Sequence, residues 1–535
     1  MQIIIPMSGI GQRFINAGFE TVKPLIKVDG RPIIEHVINL FSRNDKFIFI
    51  CNDDHLKQTN LRDELRRIVP NCKIIGIEPH KKGPVYAVAQ AFNYINDDEE
   101  VIVNYCDFGK YWNYQEFLNQ TRQRKASGAI CAYKGFHPHM LGTTNYAFIR
   151  EEGQWMQAIQ EKKPFTKDRM REYASDGTYY FQRGFLVKKY FKQLLDNGPD
   201  LNGEYYISLV YNLMVADRLK IFIYEIEHML QWGEPKDLQE YQKWSDYFRE
   251  MTKPPESLKE SDGLNLIPLA GRGSRFAGAG YEIPKPLIRV NGKPMILQAS
   301  AYLPLAQRRT FICLGDHLDQ FSLESEIKQT YPQANIVRID RVTEGQACTC
   351  ELGLTKEDMQ KPLLIAASDN GMLWNAKKYQ QLIDEGVDCI VWSFCRHPSS
   401  ALNPQMYGWI RIDDNDVIKK VSVKVPISDN PFEDHAIIGA FYFKKAQYFL
   451  DALNRLYEKN TRVNNEFYVD SCVNEIVDMG LKAKVFEVDH YVCWGTPDDL
   501  KTYEYWQKYF HKSKGHPYSM ESDWTAFNSH VEEAL

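Results

Sequence analysis

The chain has 535 residues, of which 65 are basic and 70 acidic, so its formal net charge is −5. This near-neutral balance argues against a general nucleic-acid-binding protein, and 44% apolar with 25% charged residues is the composition of an ordinary globular protein. No apolar run reaches the roughly 18 residues that cross a bilayer, and the 11 cysteines form no spaced pairs typical of a zinc site. We therefore expect a cytoplasmic protein, in a reducing compartment, that binds neither nucleic acid nor membrane.

Short β-rich runs alternate with helical stretches along the first half of the chain. Strands that are apolar almost throughout are typical of a mainly parallel sheet covered on both faces, so the pattern predicts an α/β fold. Strands are predicted at 2–6, 46–51, 73–77, 101–105, 129–133 and 220–226, and helices at 32–42, 60–68 and 238–248.

The second half of the chain repeats the first at an offset of 262 residues, which carries Pro6 onto Pro268. Residues 4–15 read IIPMSGIGQRFI, and residues 266–277 read LIPLAGRGSRFA. The same offset is recovered near the end of each half, so the repeat covers nearly the whole chain. We predict two homologous domains. They span 1–248 and 263–510, with a linker at 249–262 and a polar tail at 511–535.

A glycine-rich turn follows the first predicted strand of each half. Glycines let the backbone approach an anion and turn N–H groups toward phosphate oxygens, and an arginine adds a planar fork for phosphate. The third glycine of a dinucleotide fingerprint and the Gly-Lys-Ser/Thr of a Walker A loop are both absent. The turn predicts phosphate binding, with a purely structural strand–helix turn as the alternative. Its residues are Gly9, Gly11 and Arg13 in the first half, and Gly271, Gly273 and Arg275 in the second.

Ten residues after each arginine, a Lys-Pro-Leu segment begins at Lys23 and Lys285. The proline holds the chain extended, so the ammonium group can stand at a fixed place and neutralise charge on a leaving pyrophosphate. A solvated surface lysine is the alternative. Asp107 and Asp369 each end an apolar strand, at the edge where open α/β sheets bind ligands. They predict a Mg²⁺ site, unless they only cap the following turn.

The order of these motifs, completed by Trp-Gly-x-Pro-x-Asp-Leu near the end of each half, resembles that of the sugar-1-phosphate nucleotidylyltransferases. The resemblance implies two glycosyltransferase-A-like domains with a Rossmann-like mixed sheet. It also implies that a phosphorylated small-molecule acceptor attacks the α-phosphorus of a nucleoside triphosphate, releasing pyrophosphate with the help of Mg²⁺. By family analogy alone, the product serves capsule or surface polysaccharide biosynthesis.

The resemblance also implies a role for each matching residue. The catalytic residues are Arg13, Lys23, Arg275 and Lys285, and the metal-binding residues are Asp107 and Asp369. The nucleotide-binding residues are Ser8, Gly9, Gly11, Gly83, Ala270, Gly271, Gly273 and Gly345. The acceptor-binding residues are Glu161, Lys162, Glu204, Lys424 and Glu466, of which Glu204 and Glu466 fit a helix-start role equally well.

Two departures from the family pattern concern the implied acceptor and metal sites. Val423 precedes Lys424 where Glu161 precedes Lys162, and Gln231 and Cys493 stand where the family commonly has a second metal-binding aspartate. Repeated Glu/Asp and His residues close to these positions could compensate, although packing at a strand end explains the histidines better.

Two other functions stay open. In one, a single half is catalytic and the other is a non-catalytic, ligand-binding regulatory copy. In the other, the protein is a glycosyltransferase of the same fold, although such enzymes usually carry Asp-x-Asp where this chain has Asp107-Phe-Gly and Asp369-Asn-Gly. The sequence leaves the base, the acceptor and the oligomeric state open.

Overall fold

The structure, a computed structural model, describes residues 1–142, 145–253, 258–397, 400 and 403–523. It divides into two compact units, Met1–Ser245 (unit 1) and Asp246–Leu535 (unit 2). The predicted linker and tail lie partly outside the described residues, and the domain boundaries drawn from the sequence stay a prediction. Within the described ranges, no helix combines the length and the apolar character needed to span a membrane.

Unit 1 is a mixed α/β unit that contains all six strands predicted from the sequence. Its strands are β1 (Gln2–Met7), β2 (Lys27–Val28), β3 (Arg31–Pro32), β4 (Lys46–Asn52), β5 (Lys73–Ile77), β6 (Val101–Asn104), β7 (Phe108–Tyr111), β8 (Gly128–Tyr133), β9 (Ala147–Glu152), β10 (Trp155–Glu161), β11 (Tyr173–Phe181), β12 (Ile221–Glu225) and β13 (His228–Gln231). Its helices are α1 (Gln12–Asn16), α2 (Ile33–Ile38), α3 (Asp53–Gln58), α4 (Leu61–Ile68), α5 (Gly83–Ala89), α6 (Tyr114–Gln123), α7 (Gly184–Asn197), α8 (Ile207–Ala216) and α9 (Pro235–Glu250), whose last five residues are assigned to unit 2.

The large sheet of unit 1 has the strand order β5-β4-β1-β6-β11-β8-β12-β10-β9. Strand β1 is parallel to β4 and β6, but β11 lies antiparallel between β6 and β8. The sheet is therefore mixed, whereas the apolar runs alone predict a mainly parallel sheet. The reason is that a strand buried on both faces is apolar in either direction, so its hydrophobicity does not reveal its direction.

Unit 2 repeats this architecture. Its strands are β14 (Ser261–Leu269), β15 (Arg289–Val290), β16 (Lys293–Pro294), β17 (Ala306–Leu314), β18 (Asn335–Ile339), β19 (Leu363–Ile365), β20 (Asn370–Leu373), β21 (Cys389–Phe394), β22 (Gly408–Ile412), β23 (Ile418–Val423), β24 (His435–Phe443), β25 (Ala483–Glu487) and β26 (His490–Cys493). Its helices are α10 (Ser274–Gly278), α11 (Met295–Ala301), α12 (Gly315–Gln320), α13 (Leu323–Thr330), α14 (Gln346–Glu351), α15 (Ala376–Asp384), α16 (Ala446–Lys459), α17 (Val469–Asp478) and α18 (Pro497–Lys512). The sheet order is β18-β17-β14-β19-β24-β21-β25, with β22 paired to β24 and β23.

The core of each unit holds the first strand in place. Ile3, Ile4 and Ile5 of β1 are fully buried, as are Leu266 and Ile267 of β14. Each such side chain stabilises the fold by about 1.5–3 kcal/mol. Because β1 is parallel to β6, and β14 to β19, the glycine-rich turn and the strand-ending aspartate leave the same edge of the sheet.

The described part of the predicted tail packs on unit 2. The carboxylate of Asp523 is buried and accepts hydrogen bonds from Tyr518, Gln507 and Asn291 at 2.7, 2.8 and 2.7 Å. In unit 1, Asp29 stands where unit 2 has Asn291. Unit 2 thus receives from its tail an acidic group that unit 1 carries within its own repeat.

Candidate active sites

The glycine-rich turn of each unit needs glycine for its backbone conformation, and that of unit 2 also needs it for lack of space. Gly11 and Gly273 have φ angles of 76° and 63°, in the left-handed region that costs glycine nothing. A Cβ atom on Gly273 would lie 2.9 Å from Cβ of Lys285, so glycine also allows the Lys-Pro-Leu segment to pass close to the turn. The two motifs are therefore parts of one arrangement.

In unit 1, three motifs that are distant in the sequence meet at one ammonium group. Nζ of Lys23 lies 2.6 Å from Oδ2 of Asp107 and donates a second hydrogen bond, of 3.1 Å, to the carbonyl of Gly233. The lysine and aspartate side chains are 18% and 30% exposed, so the pair stands at the base of an open site. The two hydrogen bonds that this partly buried ammonium donates fix its position before any ligand binds.

Unit 2 has the same arrangement. Lys285 is paired with Asp369, and its Nζ donates to the carbonyl of Gly495 at 3.1 Å. Burial opposes ionisation of Asp369, but the charge and hydrogen bond of Lys285, together with the charge of Arg275, hold the pKa of Asp369 below its ordinary value. The aspartate is therefore an anion at neutral pH.

A cavity of about 490 Å³ opens beside the Lys23–Asp107 pair. This volume lies in the usual range of small-molecule sites, about 300–1,000 Å³. Lys162 reaches this cavity and donates to the hydroxyl of Tyr206 at 3.0 Å, and that hydroxyl donates to Glu204. The structure thus gathers eight of the residues singled out in the sequence around one space. They are Gly9, Gly11, Arg13, Lys23, Asp107, Glu161, Lys162 and Glu204.

Ser8 and Gly83 do not line this cavity. The hydroxyl of Ser8 lies 3.2 Å from Nε2 of His80. A Cβ atom on Gly83 would lie 2.7 Å from the backbone of Tyr205, so packing alone is enough to require glycine there. The same holds for Gly345 of unit 2. The role of these residues in nucleotide binding stays a prediction.

The cavity beside the Lys285–Asp369 pair is smaller, about 250 Å³. Gly271 and Gly273 line it together with that pair, but Ala270, Arg275, Gly345, Lys424 and Glu466 do not. Nζ of Lys424 donates to the carbonyl of Met406 at 2.5 Å. Burial lowers the pKa of Lys424, against the nearby charges of Asp470, Glu466 and Asp369, so these groups share one neighbourhood.

No sequence motif singles out Asp470, which faces Lys424 in unit 2. In unit 1, Glu161 accepts a hydrogen bond from Ser208, whereas unit 2 has Val423 and Asp470 at the two corresponding positions. The carboxylate has therefore moved from the strand to the facing helix. Burial raises the pKa of Asp470 to about 6, and the charge of Lys424 opposes this rise. The repeat offset shows the two exchanges, but only the structure shows that the two positions face each other.

We expect Asp470→Asn to change how the stability of unit 2 depends on pH. Because the folded-state pKa of Asp470 is raised, the stability it contributes is present near pH 4 and is lost as pH rises through about 6. The free energy of unfolding of the wild type should fall between these pH values by on the order of 2–3 kcal/mol more than that of the variant. Urea unfolding across this range measures it. Asp478→Asn on the same helix is the control, and equal pH dependence in both variants would contradict the expectation.

The two positions where the family commonly has a second metal-binding aspartate carry no carboxylate. Gln231 lines the unit 1 cavity, and Sγ of Cys493 accepts from the backbone N–H of Gly495 and contacts the carboxylate of Asp499 at 3.5 Å. A single carboxylate, Asp107 or Asp369, nevertheless fits a Mg²⁺ ion held mainly by the phosphates of a substrate.

His228 and His490 lie at the opposite ends of their strands from Gln231 and Cys493. Each begins a short strand, β13 or β26, whose last residue is Gln231 or Cys493. Three residues along a strand is about 10 Å, too far for a shared ion. Packing at a strand end stays the preferred explanation of the two histidines.

Two family models match the chain, one in each unit. The model of the MobA-like NTP transferase domain matches residues 3–171, and that of the nucleotidyl transferases matches residues 264–507. The chain carries two tandem nucleotidyltransferase domains. The protein is an enzyme of the nucleotidyltransferase type, and its two units match different models although their motifs repeat at one offset.

Solved structures with similarity to this nucleotidyltransferase each match a little under half of it. The nucleoside-diphosphate-sugar pyrophosphorylase from Vibrio cholerae RC9 is 19% identical over 44% of this chain and 98% of its own, with a TM-score of 0.38. The inositol-1-phosphate CTP transferase from T. maritima is 15% identical over 47% and 97%, with a TM-score of 0.37. A UDP-glucose pyrophosphorylase complexed with UDP-glucose is 15% identical over 46% and 98%, with a TM-score of 0.38.

Proposed function

We propose that this nucleotidyltransferase transfers a nucleoside monophosphate from a nucleoside triphosphate to a sugar-1-phosphate or a related phosphorylated acceptor, with release of pyrophosphate. The observation that carries the proposal is the Lys–Asp pair beside the glycine-rich turn, which recurs in both units. A cytoplasmic location and a part in surface polysaccharide biosynthesis belong to the same proposal and rest on the resemblance of the motifs.

The glycine-rich turn and the lysine divide the work on the triphosphate. Backbone N–H groups of the turn at Gly9 and Gly11 hold phosphate oxygens, since glycine lets an anion come close. Lys23, kept in place by Asp107 and a backbone carbonyl, stabilises the negative charge that develops on the leaving pyrophosphate. A charge positioned in advance favours the transition state because it need not reorganise during the reaction.

The acceptor binds on the side of the cavity that carries Glu161, Lys162 and Glu204. Lys162 has a φ angle of 57° and Lys424 one of 63°, a backbone conformation that costs a non-glycine residue about 1–2 kcal/mol. Both units keep this cost at the same position. The strain supports a role for the lysine side chain, since its ammonium can exchange the hydroxyl of Tyr206 for an acceptor phosphate.

Asp107 and Asp369 would hold Mg²⁺ together with the phosphates of the bound nucleotide. When bound, the ion neutralises phosphate charge and polarises the phosphorus under attack. The lysine beside each aspartate keeps the site close to electrical balance before the nucleotide arrives.

Differences between the two cavities support a second candidate function. The unit 2 cavity is about 250 Å³ against about 490 Å³ in unit 1, and Lys424 is bound to a backbone carbonyl. These differences favour a chain in which unit 1 catalyses and unit 2 is a non-catalytic copy that binds a ligand.

The test is a screen of the full-length protein with each nucleoside triphosphate against sugar-1-phosphates and other phosphorylated acceptors. Pyrophosphate release is measured with and without Mg²⁺. We expect release that requires both substrates and the metal, and Lys23→Ala and Lys285→Ala variants assign each reaction to a unit. Release that only Lys23→Ala abolishes supports the second candidate. Folded protein that releases no pyrophosphate with any pair would overturn the proposal.

A further inference from the structure

Three side chains of metal-ligand type meet at one corner of unit 2, away from the glycine-rich turn. Cys395 directly follows β21, His435 is the first residue of β24, and Glu487 is the last residue of β25. These strands are adjacent in the sheet, in the order β24-β21-β25. The three ligand atoms all lie within 4.8 Å of one another, the one group of at least three such side chains among the described residues. The sheet topology thus assembles what the cysteine spacing does not reveal.

The separation of the donor atoms suits a tetrahedral ion. Sγ of Cys395 lies 3.3 Å from Nδ1 of His435. Bonds of about 2.3 Å to sulfur and 2.0–2.1 Å to nitrogen place these atoms about 3.6 Å apart in a tetrahedral zinc site. A small movement therefore admits the ion between them. Thiolate, imidazole and carboxylate together are a zinc-type donor set, whereas Mg²⁺ takes oxygen ligands.

Two neighbouring groups contact the same atoms. The hydroxyl of Ser393 lies 3.0 Å from Nδ1 of His435, and a guanidinium nitrogen of Arg396 lies 3.4 Å from Glu487. Arg396 is more than half exposed and also lies 3.5 Å from Glu433, so it has a second carboxylate to pair with when Glu487 binds an ion. The corner can therefore accept a cation without leaving Arg396 unpaired.

Unit 1 has different side chains at the three corresponding positions. Because β8 pairs with β11 and β12 as β21 pairs with β24 and β25, the strand registers place Lys134, Tyr173 and Glu225 at the three positions. The hydroxyl of Tyr173 donates to Glu225 at 2.6 Å, and the ammonium of Lys134 lies 4.9 Å from the ring centre of Tyr173. Unit 2 keeps the glutamate and replaces the lysine and tyrosine by two metal ligands.

We propose that Cys395, His435 and Glu487 bind one zinc-type divalent ion, with a fourth position open to water or an external ligand. Binding exchanges the thiol proton of Cys395 for the ion and releases that proton to solvent. The ion joins the ends of three adjacent strands, at the same edge of the sheet as the glycine-rich turn of unit 2. It therefore stabilises unit 2 by mass action whether or not that unit is catalytic.

Co²⁺ is the probe for the test, because a cobalt–thiolate bond absorbs light in the near ultraviolet. The full-length protein is stripped with a chelator, kept reduced with a non-thiol reductant and titrated with Co²⁺ and then Zn²⁺. We expect a thiolate-to-cobalt band that saturates at one ion per chain and disappears on addition of Zn²⁺. Cys395→Ser should abolish the band, and His435→Gln and Glu487→Gln should each weaken Co²⁺ binding at least about 10²-fold, more than changes to outer-shell groups do.

The matched controls come from unit 1 and from other thiols. Glu225→Gln and Cys72→Ser should leave the band unchanged, and Lys134→Cys combined with Tyr173→His should add a second ion per chain. Glu487 is exposed, so its variant keeps the test usable if the other two do not fold. A band that survives Cys395→Ser, one that depends on Cys493, or folded protein without a thiolate band would overturn the proposal.

Discussion

We expect Lys23→Ala to lower the pyrophosphate release proposed for unit 1 about 10²-fold or more, the scale of losing one charge stabiliser placed in advance. Lys285→Ala does the same in unit 2 if that unit is catalytic. The reason is that a carboxylate and a backbone carbonyl hold each ammonium in place, and alanine removes the charge that they position. Steady-state rates at saturating substrates measure the effect, which should appear in kcat.

The control for this first prediction is Lys27→Ala, which removes an exposed lysine four residues from Lys23. It should leave kcat within about twofold, since a charge screened by solvent contributes little at a distance. Circular dichroism checks that Lys23→Ala is folded. Activity that survives in the Lys23→Ala, Lys285→Ala double variant would contradict the mechanism for both units.

The largest expected loss of stability comes from breaking a fully buried ion pair in unit 1. Nζ of Lys110 lies 2.8 Å from Oδ2 of Asp176, donates to Thr178 at 2.7 Å and stands 3.6 Å from the ring centre of Trp112. Both charged side chains are 0% exposed. Asp176→Ile leaves the ammonium buried without its counter-ion and should cost about 3–5 kcal/mol in the free energy of unfolding. Urea unfolding measures this cost.

Unit 2 supplies the matched control, because it has Met372 and Ile438 at the positions of Lys110 and Asp176. Both are buried, so unit 2 already packs apolar side chains at the place where unit 1 has the ion pair. Lys110→Met combined with Asp176→Ile should recover most of the lost stability, since apolar pairs often replace buried ion pairs at little or no cost. A double variant as unstable as Asp176→Ile would contradict this explanation.

The same double variant also tests a role in binding. Asp176 lines the unit 1 cavity, whereas Ile438 does not line the cavity of unit 2. If the double variant is stable and unit 1 loses pyrophosphate release, the ion pair is needed for ligand binding. If activity persists, the ion pair has a structural role only.

Much of the secondary structure of each unit can be predicted from short stretches of sequence. The six predicted strands of unit 1 are present because runs such as 46–51 and 73–77 are apolar and end in turn residues. The helix predicted over 238–248 lies inside α9 (Pro235–Glu250), and the helix predicted over 32–42 is shorter, Ile33–Ile38. Strand β11 was not predicted, and its antiparallel placement makes the sheet mixed, because pairing partners far along the chain set its direction.

The candidate site divides in the same way. Gly11, Lys23 and Asp107 were singled out by motif and do converge in the structure, although their roles stay predictions. Asp470 and the corner at Cys395 were missed, since each depends on which elements face each other and not on spacing along the chain.

The sequence by itself determined that the chain contains two copies of one α/β unit, with a glycine-rich turn, a lysine and an aspartate in each copy. These features depend on neighbouring residues, through the hydrophobicity of a strand and the turn that ends it. Only the tertiary structure decided the direction of β11, the move of a carboxylate from Glu161 to Asp470, and the meeting of Cys395, His435 and Glu487. Each of these depends on strand order and register, which bring residues distant in the sequence into contact. Local sequence does not encode that order or register.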